Sequence, residues 1–162
     1  MRGSSVHMAQ RVEHMIRQYG DMLFRICLVM LKNKSDAEDA VQETAIKYMQ
    51  KAPFFGNAEH EKAWLIRVVT NQCRDMQRFS QRHPQTDITE LQSCVSAPES
   101  CGIIEALMAV PEKFRIVMLL YYVEEYPVKD IAEMIGRSDS AVKMRLRKGR
   151  SLLKEIYRKE YM

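Results

Sequence analysis

A chain of 162 residues and 19.0 kDa, 46% of them hydrophobic, can form one domain or two small ones, and this composition does not favour intrinsic disorder. Its apolar runs are too short to span a bilayer and no signal peptide is visible, so the sequence predicts a cytoplasmic protein. The net charge is only +4, but residues 137–159 carry nine Lys or Arg against two carboxylates, a local basic excess that suits nucleic acid.

The N-terminus combines a leader-like segment with a first helix. Residues 1–7 are typical of a vector-derived leader, which makes Met8 a candidate native start, and residues 1–8 are left out of the predicted fold. Helical spacing of apolar residues predicts a helix over about 10–32. Its predicted core stripe comprises Val12, Met15, Ile16, Tyr19, Leu23, Ile26 and Met30.

A second helix is predicted to begin near Ser35, which forms a capping box with Glu38. Four carboxylates, Asp36, Glu38, Asp39 and Glu43, follow with no Lys or Arg between them. Capping and the helix dipole alone could explain them. Because such a patch would repel DNA, a ligand for it would be a basic protein surface.

A loop with two adjacent aromatic residues precedes a third predicted helix over 61–79. On that helix Arg67, Asn71, Arg74 and Arg78 fall at i, i+4, i+7 and i+11, a stripe that could grip a nucleic-acid backbone but is also common on solvated faces. Aromatic and amide side chains at its N-terminal end could hold an unstacked base. These are Phe54, Phe55, Asn57, His60 and Trp64.

Residues 80–100 lack sustained periodicity and contain two prolines, which predicts a linker between two helical units. No β alternation of useful length appears on either side, so the predicted fold class is all-α. The cysteines lack zinc-site spacing, and no metal or other cofactor is expected. Cys27 and Cys73 are interpreted as core residues, while a redox switch between Cys94 and Cys101 stays an alternative.

The C-terminal quarter has the pattern of a helix-turn-helix: a short amphipathic helix from Val128, a turn at Gly136, an N-cap at Ser138 and a basic second helix. A core-facing stripe is predicted at Val142, Leu146, Gly149, Leu153 and Ile156, and an outward face at Lys143, Met144, Arg147, Lys148 and Ser151. Tyr121, Tyr122 and Tyr126 are interpreted as core and turn residues. The pattern indicates a DNA reader, with a solvated cationic face as the alternative.

Three collinear segments resemble the extracytoplasmic-function sigma factors of bacterial RNA polymerase. Residues 36–44 are similar to the family's region 2.2, residues 64–75 to regions 2.3 and 2.4, and residues 131–136 with 142–150 to region 4.2. The resemblance covers nearly all of residues 10–157 in the family's order. It implies a region 2 domain over 9–80, a linker over 81–100 that threads toward the polymerase active-site channel, and a region 4 domain over 101–162.

The resemblance also implies three binding surfaces. Docking on the clamp helices of the largest polymerase subunit would use Asp36, Glu38, Asp39, Gln42 and Glu43. The minus-ten promoter element would be opened and held by Phe54, Phe55, Asn57, His60, Trp64, Arg67, Asn71, Arg74 and Arg78. The major groove of the minus-thirty-five element would be contacted by Ser138, Lys143, Met144, Arg145, Arg147, Lys148 and Arg150. An anti-sigma factor is an expected further partner.

This chain departs from the usual family pattern at Ala45, Ala141 and Met144, so its promoter sequence cannot be transferred from relatives. A stand-alone helix-turn-helix regulator remains the alternative function. A response regulator is disfavoured because no alternating βα pattern is present, and an enzyme because no catalytic constellation emerges. A protein-binding scaffold would explain the acidic helix but not the two basic ones.

Overall fold

A computed structural model of the chain describes residues 2–79 and 98–161. All regular structure in these two ranges is helical, which confirms the all-α prediction. The contacts divide the chain into two compact units, Met1–Pro84 and Gln85–Met162. Cys94 and the side chain of Cys101 lie outside the described residues, as does most of the predicted linker.

The first unit packs three helices against one another: α1, Arg2–Leu31; α2, Lys34–Lys51; and α3, Ala58–Phe79. Its core is formed by fully buried side chains that all three helices contribute, among them Leu23, Ile26, Ala40, Leu65 and Val69. Cys27 and Cys73 are buried there with their Sγ atoms 3.6 Å apart, which confirms that they are core residues. Each helix carries apolar residues at helical spacing along one side, so the three apolar sides pack together into one core.

The predicted start of α1 near Gln10 is wrong, since the helix begins at Arg2. Residues 2–9 contain no proline, so no residue in this stretch blocks the extension of the helix. The buried stripe is narrower than predicted. Met15, Tyr19 and Met30 are buried, but Val12 is half-buried and Ile16 is exposed.

The predicted capping box of Ser35 and Glu38 is also wrong. The N-cap of α2 is Asn33, whose Oδ1 accepts a hydrogen bond from the backbone N of Asp36 at 2.9 Å. Only Lys32 and Asn33 separate α1 from α2, and Lys32 has a left-handed backbone with φ 53°. Because asparagine caps a helix as well as serine does, α2 can begin earlier than predicted, directly after Asn33.

The second unit contains α4, Pro98–Met108; α5, Glu112–Met118; a π-helical turn, Leu119–Val123; α6, Val128–Ile135; and α7, Asp139–Tyr161. α7 packs closely on α5 at Gly149, where an added Cβ would lie 2.6 Å from Sδ of Met118. Glycine therefore sets the distance between these two helices. No helix in the described residues is long and apolar enough to cross a membrane.

Of the three tyrosines interpreted as core and turn residues, only Tyr126 is buried. Tyr121 and Tyr122 are 38% and 41% exposed. The reason is helical phase, because Leu119 and Leu120 take the buried face and the next two side chains point to solvent.

Candidate nucleic-acid interfaces

The acidic residues of α2 lie on the face opposite its core stripe. Ala37, Ala40, Thr44 and Tyr48 are buried, whereas Glu38, Asp39, Gln42 and Glu43 are exposed and Asp36 is half-buried. The helix therefore presents a carboxylate-rich surface, the acidic face, which residues 36–43 form. Its chemistry suits a cationic protein partner and opposes a phosphate backbone.

Two apolar side chains continue the exposed side of α2 toward its C-terminal end. Ile46 and Met49 are large and exposed, and they follow Gln42 by four and seven residues, so all three lie along one side of the helix. These two residues were not among the predicted contact residues, although their helical spacing was a usable signal. Apolar side chains bordered by polar ones are the usual arrangement of a protein–protein interface.

The loop between α2 and α3 has one half-buried aromatic residue and one exposed one. Phe55 is half-buried, with its ring centroid 6.4 Å from that of Tyr48 and 5.8 Å from that of Trp64. Phe54 is 97% exposed. The loop is thus anchored through Phe55 and displays the exposed ring of Phe54, an arrangement that can stack on an unpaired nucleobase.

Trp64 lies in the second turn of α3, not at the helix start. Its ring is half-buried and packs edge-on against Tyr48, with centroids 6.0 Å apart. Its place in the structure is therefore in the ring cluster of Tyr48, Phe55 and Trp64, beneath the loop that carries Phe54. This position supports the loop through aromatic packing.

The start of α3 is capped by Asn57. Its Oδ1 accepts a hydrogen bond from the backbone N of His60 at 2.9 Å, and its carbonyl accepts one from Glu61 N at 3.3 Å. The helix therefore begins at Ala58, three residues before the predicted start at Glu61. The structure gives Asn57 a capping role and leaves the His60 ring exposed beside Gly56.

The arginine stripe of α3 follows the predicted register. Arg67, Asn71 and Arg78 are exposed, and Arg74 is half-buried. On the opposite side, Leu65, Val69 and Cys73 are fully buried, while Val68 and Met76 are half-buried at the margin. The helix therefore turns three guanidinium groups and an amide away from the core, a set of donors suited to phosphate oxygens.

The helix-turn-helix is confirmed in its local geometry. α6 ends at Gly136, which has a left-handed backbone with φ 68° and ψ 41°, a conformation that glycine adopts without a Cβ clash. α7 begins after Ser138, whose Oγ accepts a hydrogen bond from the backbone N of Ala141 at 3.1 Å. Each end of the turn is thus fixed by the residue that the sequence indicated.

The two predicted faces of α7 are largely confirmed. Val142, Leu146 and Gly149 are buried, and farther along Leu153 and Ile156 are half-buried. The exposed face carries Lys143, Met144, Arg147, Lys148 and Ser151. Met144 is 65% exposed, an unusual position for a large apolar side chain among cations.

A shallow groove of about 210 Å³ runs beside this exposed face. Lys143, Arg147 and Arg150 line it together with the aromatic ring of Tyr121, and Nη1 of Arg150 donates a hydrogen bond to the Tyr122 hydroxyl at 3.0 Å. The exposed tyrosines therefore belong to the basic surface of α7. Three cations in one groove form a phosphate-attracting site.

The other two predicted contact residues of α7 have neighbours that affect their chemistry. Arg145 is half-buried, and burial together with the nearby charge of Arg137 lowers the pKa of its guanidinium. Lys148 lies with Nζ 6.0 Å from the ring centroid of Phe114. Arg145 therefore contributes positive charge at the edge of the exposed face. The Lys148 ammonium group is within cation–π range of the Phe114 ring.

Comparison with known proteins places both units in one family. The model of Sigma-70 region 2 matches residues 15–83, and the model of Sigma-70 region 4 matches residues 102–153. The ECF RNA polymerase sigma factor SigM of Mycobacterium tuberculosis is 24% identical, with 89% of this chain and 76% of that protein covered. The ECF RNA polymerase sigma factor SigW of Bacillus subtilis is 26% identical, with 86% of this chain and 85% of that protein covered. The chain belongs to the extracytoplasmic-function sigma factors.

Solved structures agree on the fold of this sigma factor. RpoE of Bartonella quintana, determined with the anti-sigma factor NepR, is 18% identical with a TM-score of 0.67, and the match covers 90% of this chain and 96% of that one. CnrH, determined with the cytosolic domain of CnrY, is 21% identical with a TM-score of 0.65, covering 91% and 88%. These likenesses confirm the architecture.

The family assignment confirms the function predicted from sequence. The protein is an alternative sigma factor that acts in transcription initiation, and its two sigma regions are binding modules for core RNA polymerase and promoter DNA. Nothing in the comparisons favours a stand-alone helix-turn-helix regulator. The sigma factors are a non-enzymatic family, and the described residues contain no cluster of His, Cys, Asp or Glu able to hold a metal ion.

Proposed function

We propose that the sigma factor divides promoter recognition between its two units, with region 2 over residues 9–80 and region 4 over residues 101–162. The observation that carries this proposal is that each unit presents its own basic surface on a capped helix: α3 after Asn57, and α7 after Ser138. Two weak sites on one chain act as one strong site when core polymerase holds both near the promoter.

In region 2, the loop residue Phe54 stacks on an unpaired minus-ten base, while Arg67, Asn71, Arg74 and Arg78 hold the strand. The exposed ring and the outward arginines of α3 support this assignment. Asn57 and Trp64 act indirectly, through the helix cap and the ring cluster, while Phe55 anchors the loop and His60 lines it. Stacking offsets the unpairing of DNA, which costs a few kcal/mol per extruded base.

In region 4, the N-terminal half of α7 enters the major groove of the minus-thirty-five element. Lys143, Met144, Arg147 and Lys148 lie nearest the bases, and Ser138, Arg145 and Arg150 lie nearest the phosphates. The exposed face of α7 and the cationic groove beside Tyr121 support this placement. A helix of this geometry reads base edges with its first turns.

The acidic face of α2 docks on the clamp helices of the largest polymerase subunit. Asp36, Glu38, Asp39, Gln42 and Glu43 provide the polar contacts, and Ile46 and Met49 provide the apolar ones. Since NepR and CnrY are bound to the two structural neighbours, we also propose an anti-sigma factor as a partner of this chain. The protein acts by binding alone, in the cytoplasm, where its polymerase is.

Promoter opening by the holoenzyme tests the division of labour. Phe54→Ala should reduce permanganate reactivity of minus-ten thymines several-fold while upstream DNase protection persists, because it removes only the stacking ring. Arg147→Ala should instead weaken upstream protection. Arg158→Ala, which removes an exposed cation near the other end of α7, is the matched control and should change neither. If Phe54→Ala and Arg147→Ala each reduced permanganate reactivity and upstream DNase protection equally, the division of promoter recognition between the two units would be contradicted.

A further inference from the structure

Arg11 of α1 reaches the loop that carries Phe54. Its Nη2 donates a hydrogen bond to the carbonyl oxygen of Pro53 at 2.7 Å, across 42 residues of sequence. The carbonyl belongs to the residue directly before Phe54. A charged donor therefore fixes the loop backbone at the point from which the exposed ring projects.

The same guanidinium contacts three aromatic rings. Its Cζ lies 5.1 Å from the ring centroid of Tyr48, 5.5 Å from that of Phe54 and 5.8 Å from that of Phe55. All three distances are within the range of a cation–π interaction. Arg11 thus bridges the anchored side of the loop and its exposed ring.

The anchored side is itself held from α3. The Tyr48 hydroxyl donates a hydrogen bond to Oε2 of Glu61 at 2.9 Å, and the Tyr19 hydroxyl donates one to the carbonyl of Ala58 at 3.3 Å. Residues of α1, α2 and α3 therefore meet at one place around the loop. Phe54 gains little orientation from packing because its ring is 97% exposed, which leaves the guanidinium as a nearby ordering contact.

We propose that Arg11 is a positioning residue that holds the loop with the Phe54 ring presented to the unpaired minus-ten strand. The inference rests on the proposed function of that loop. A loop that is ordered before binding loses less conformational entropy when it captures a base, so the strand binds more tightly. Nothing in the local sequence of α1 marks Arg11, since its partners are distant in the chain.

Arginine suits this position better than lysine does. A planar guanidinium can donate to a carbonyl and stack on rings at once, whereas an ammonium group is a compact charge that keeps its water. A rival explanation is that Arg11 attracts DNA phosphates through charge alone. The two explanations differ for Arg11→Lys, which keeps the charge and loses the planar contacts.

The test compares Arg11→Lys and Arg11→Gln with Arg17→Gln, all in holoenzyme assembled from core polymerase and the full chain. Arg17 is the matched control, because it is an exposed arginine of the same helix whose hydrogen bond at 2.6 Å goes to Glu13. The probe is a single-stranded oligonucleotide pool with a randomised segment, enriched on the wild-type holoenzyme. Affinity for the enriched pool and for core polymerase is then measured for each variant.

A second readout reports the loop itself. Trp64 is the only tryptophan of the chain, and its ring lies 5.8 Å from that of Phe55 in the cluster that anchors the loop. Acrylamide quenching of its fluorescence in the free protein therefore reports whether the loop stays closed over the cluster. A change in quenching separates loop positioning from a direct phosphate contact, which would leave the free protein unaltered.

Both Arg11 variants should bind the enriched strand about tenfold more weakly, because each loses the planar guanidinium that contacts the Pro53 carbonyl and the rings together, with more Trp64 quenching and unchanged affinity for core polymerase. Arg17→Gln should match the wild type. Wild-type binding by Arg11→Lys, or by Arg11→Gln, would overturn the positioning role and leave the proposed minus-ten loop intact. Failure of the wild-type holoenzyme to enrich any strand would overturn both the loop assignment and the inference.

Discussion

Met144 is an apolar side chain exposed on a surface that is otherwise cationic. It is 65% exposed on α7, between Lys143 and Arg147 in the proposed major-groove face. An apolar group in that groove can contact the methyl group of thymine, which no other base carries. Burial in the protein core does not explain why a methionine occupies this position, so our hypothesis is that Met144 contacts a base.

Met144→Ser should therefore relax base preference at one position of the minus-thirty-five element. The loss should be about 1 kcal/mol, the lower end of a specific base contact, and confined to that position. Selection of duplex upstream sequences on wild-type and variant holoenzyme measures it. Ser151→Ala, a change on the same exposed face farther along α7, serves as the control. Identical preferences at every position would rule out the thymine contact.

Cys27 is a buried thiol with a pH-dependent contribution to stability. The hydrogen bond with Cys73 and burial in the core raise its pKa well above the ordinary value. Because the folded state then holds the proton more tightly than the unfolded state, this contribution is fully present below the ordinary thiol pKa of about 8.5 and is lost as pH rises toward the folded value.

The free energy of unfolding should fall as pH rises above about 8.5, by up to about 1.4 kcal/mol per pH unit for this one proton. Urea titrations at several pH values measure the slope, and Cys27→Ala should make it shallower in the same window even though that variant is less stable overall. An equal slope in both proteins would show that Cys27 does not titrate differently on unfolding.

At the scale of the helices, the N-cap of α2 is Asn33 and not Ser35, which lies two residues later. Asn33 makes the capping hydrogen bond to Asp36 N, whereas Ser35 is exposed within the first turn of the helix. A cap is defined by its own extended backbone, which Asn33 has at φ −143° and ψ 123°. Ser35 lies inside the helix and has helical backbone, so it is not at the cap position.

Asn33→Ala should lower the free energy of unfolding by about 1 kcal/mol, while Ser35→Ala should change it by less than about 0.5 kcal/mol. Chemical denaturation followed by circular dichroism compares the two, and each serves as the control for the other. A larger loss for Ser35→Ala would restore the capping box that the sequence suggested.

Local sequence signals predicted the elements well and the contacts between them poorly. Gly136 and Ser138 mark the turn of the helix-turn-helix because their backbone and cap preferences are local. Arg11 carries no such signal, since its contact with Pro53 spans 42 residues. Phe54 is almost fully exposed whereas its neighbour Phe55 is half-buried, and only the packing of Phe55 into the ring cluster distinguishes them.

At the scale of the whole molecule, the first unit presents an acidic face and a basic face, and the second unit presents a basic face. The acidic face of α2 suits polymerase, and the basic faces of α3 and α7 suit DNA. Charge therefore directs each surface to its own partner, because like charges oppose the wrong pairing. In the proposed division of labour, promoter recognition depends on assembly with polymerase, which would bring both basic faces to the same DNA.

Run-off transcription with core RNA polymerase of the source bacterium tests this account most directly. With a pool of that bacterium's upstream DNA as template, the wild-type protein should give transcripts. These should disappear with Asp39→Arg, because a reversed charge on the acidic face prevents docking on core polymerase. Asp21→Arg, which reverses an exposed carboxylate of α1, should leave them intact. Sequence-specific DNA binding by the protein alone, with no polymerase binding and no transcript, would contradict the account.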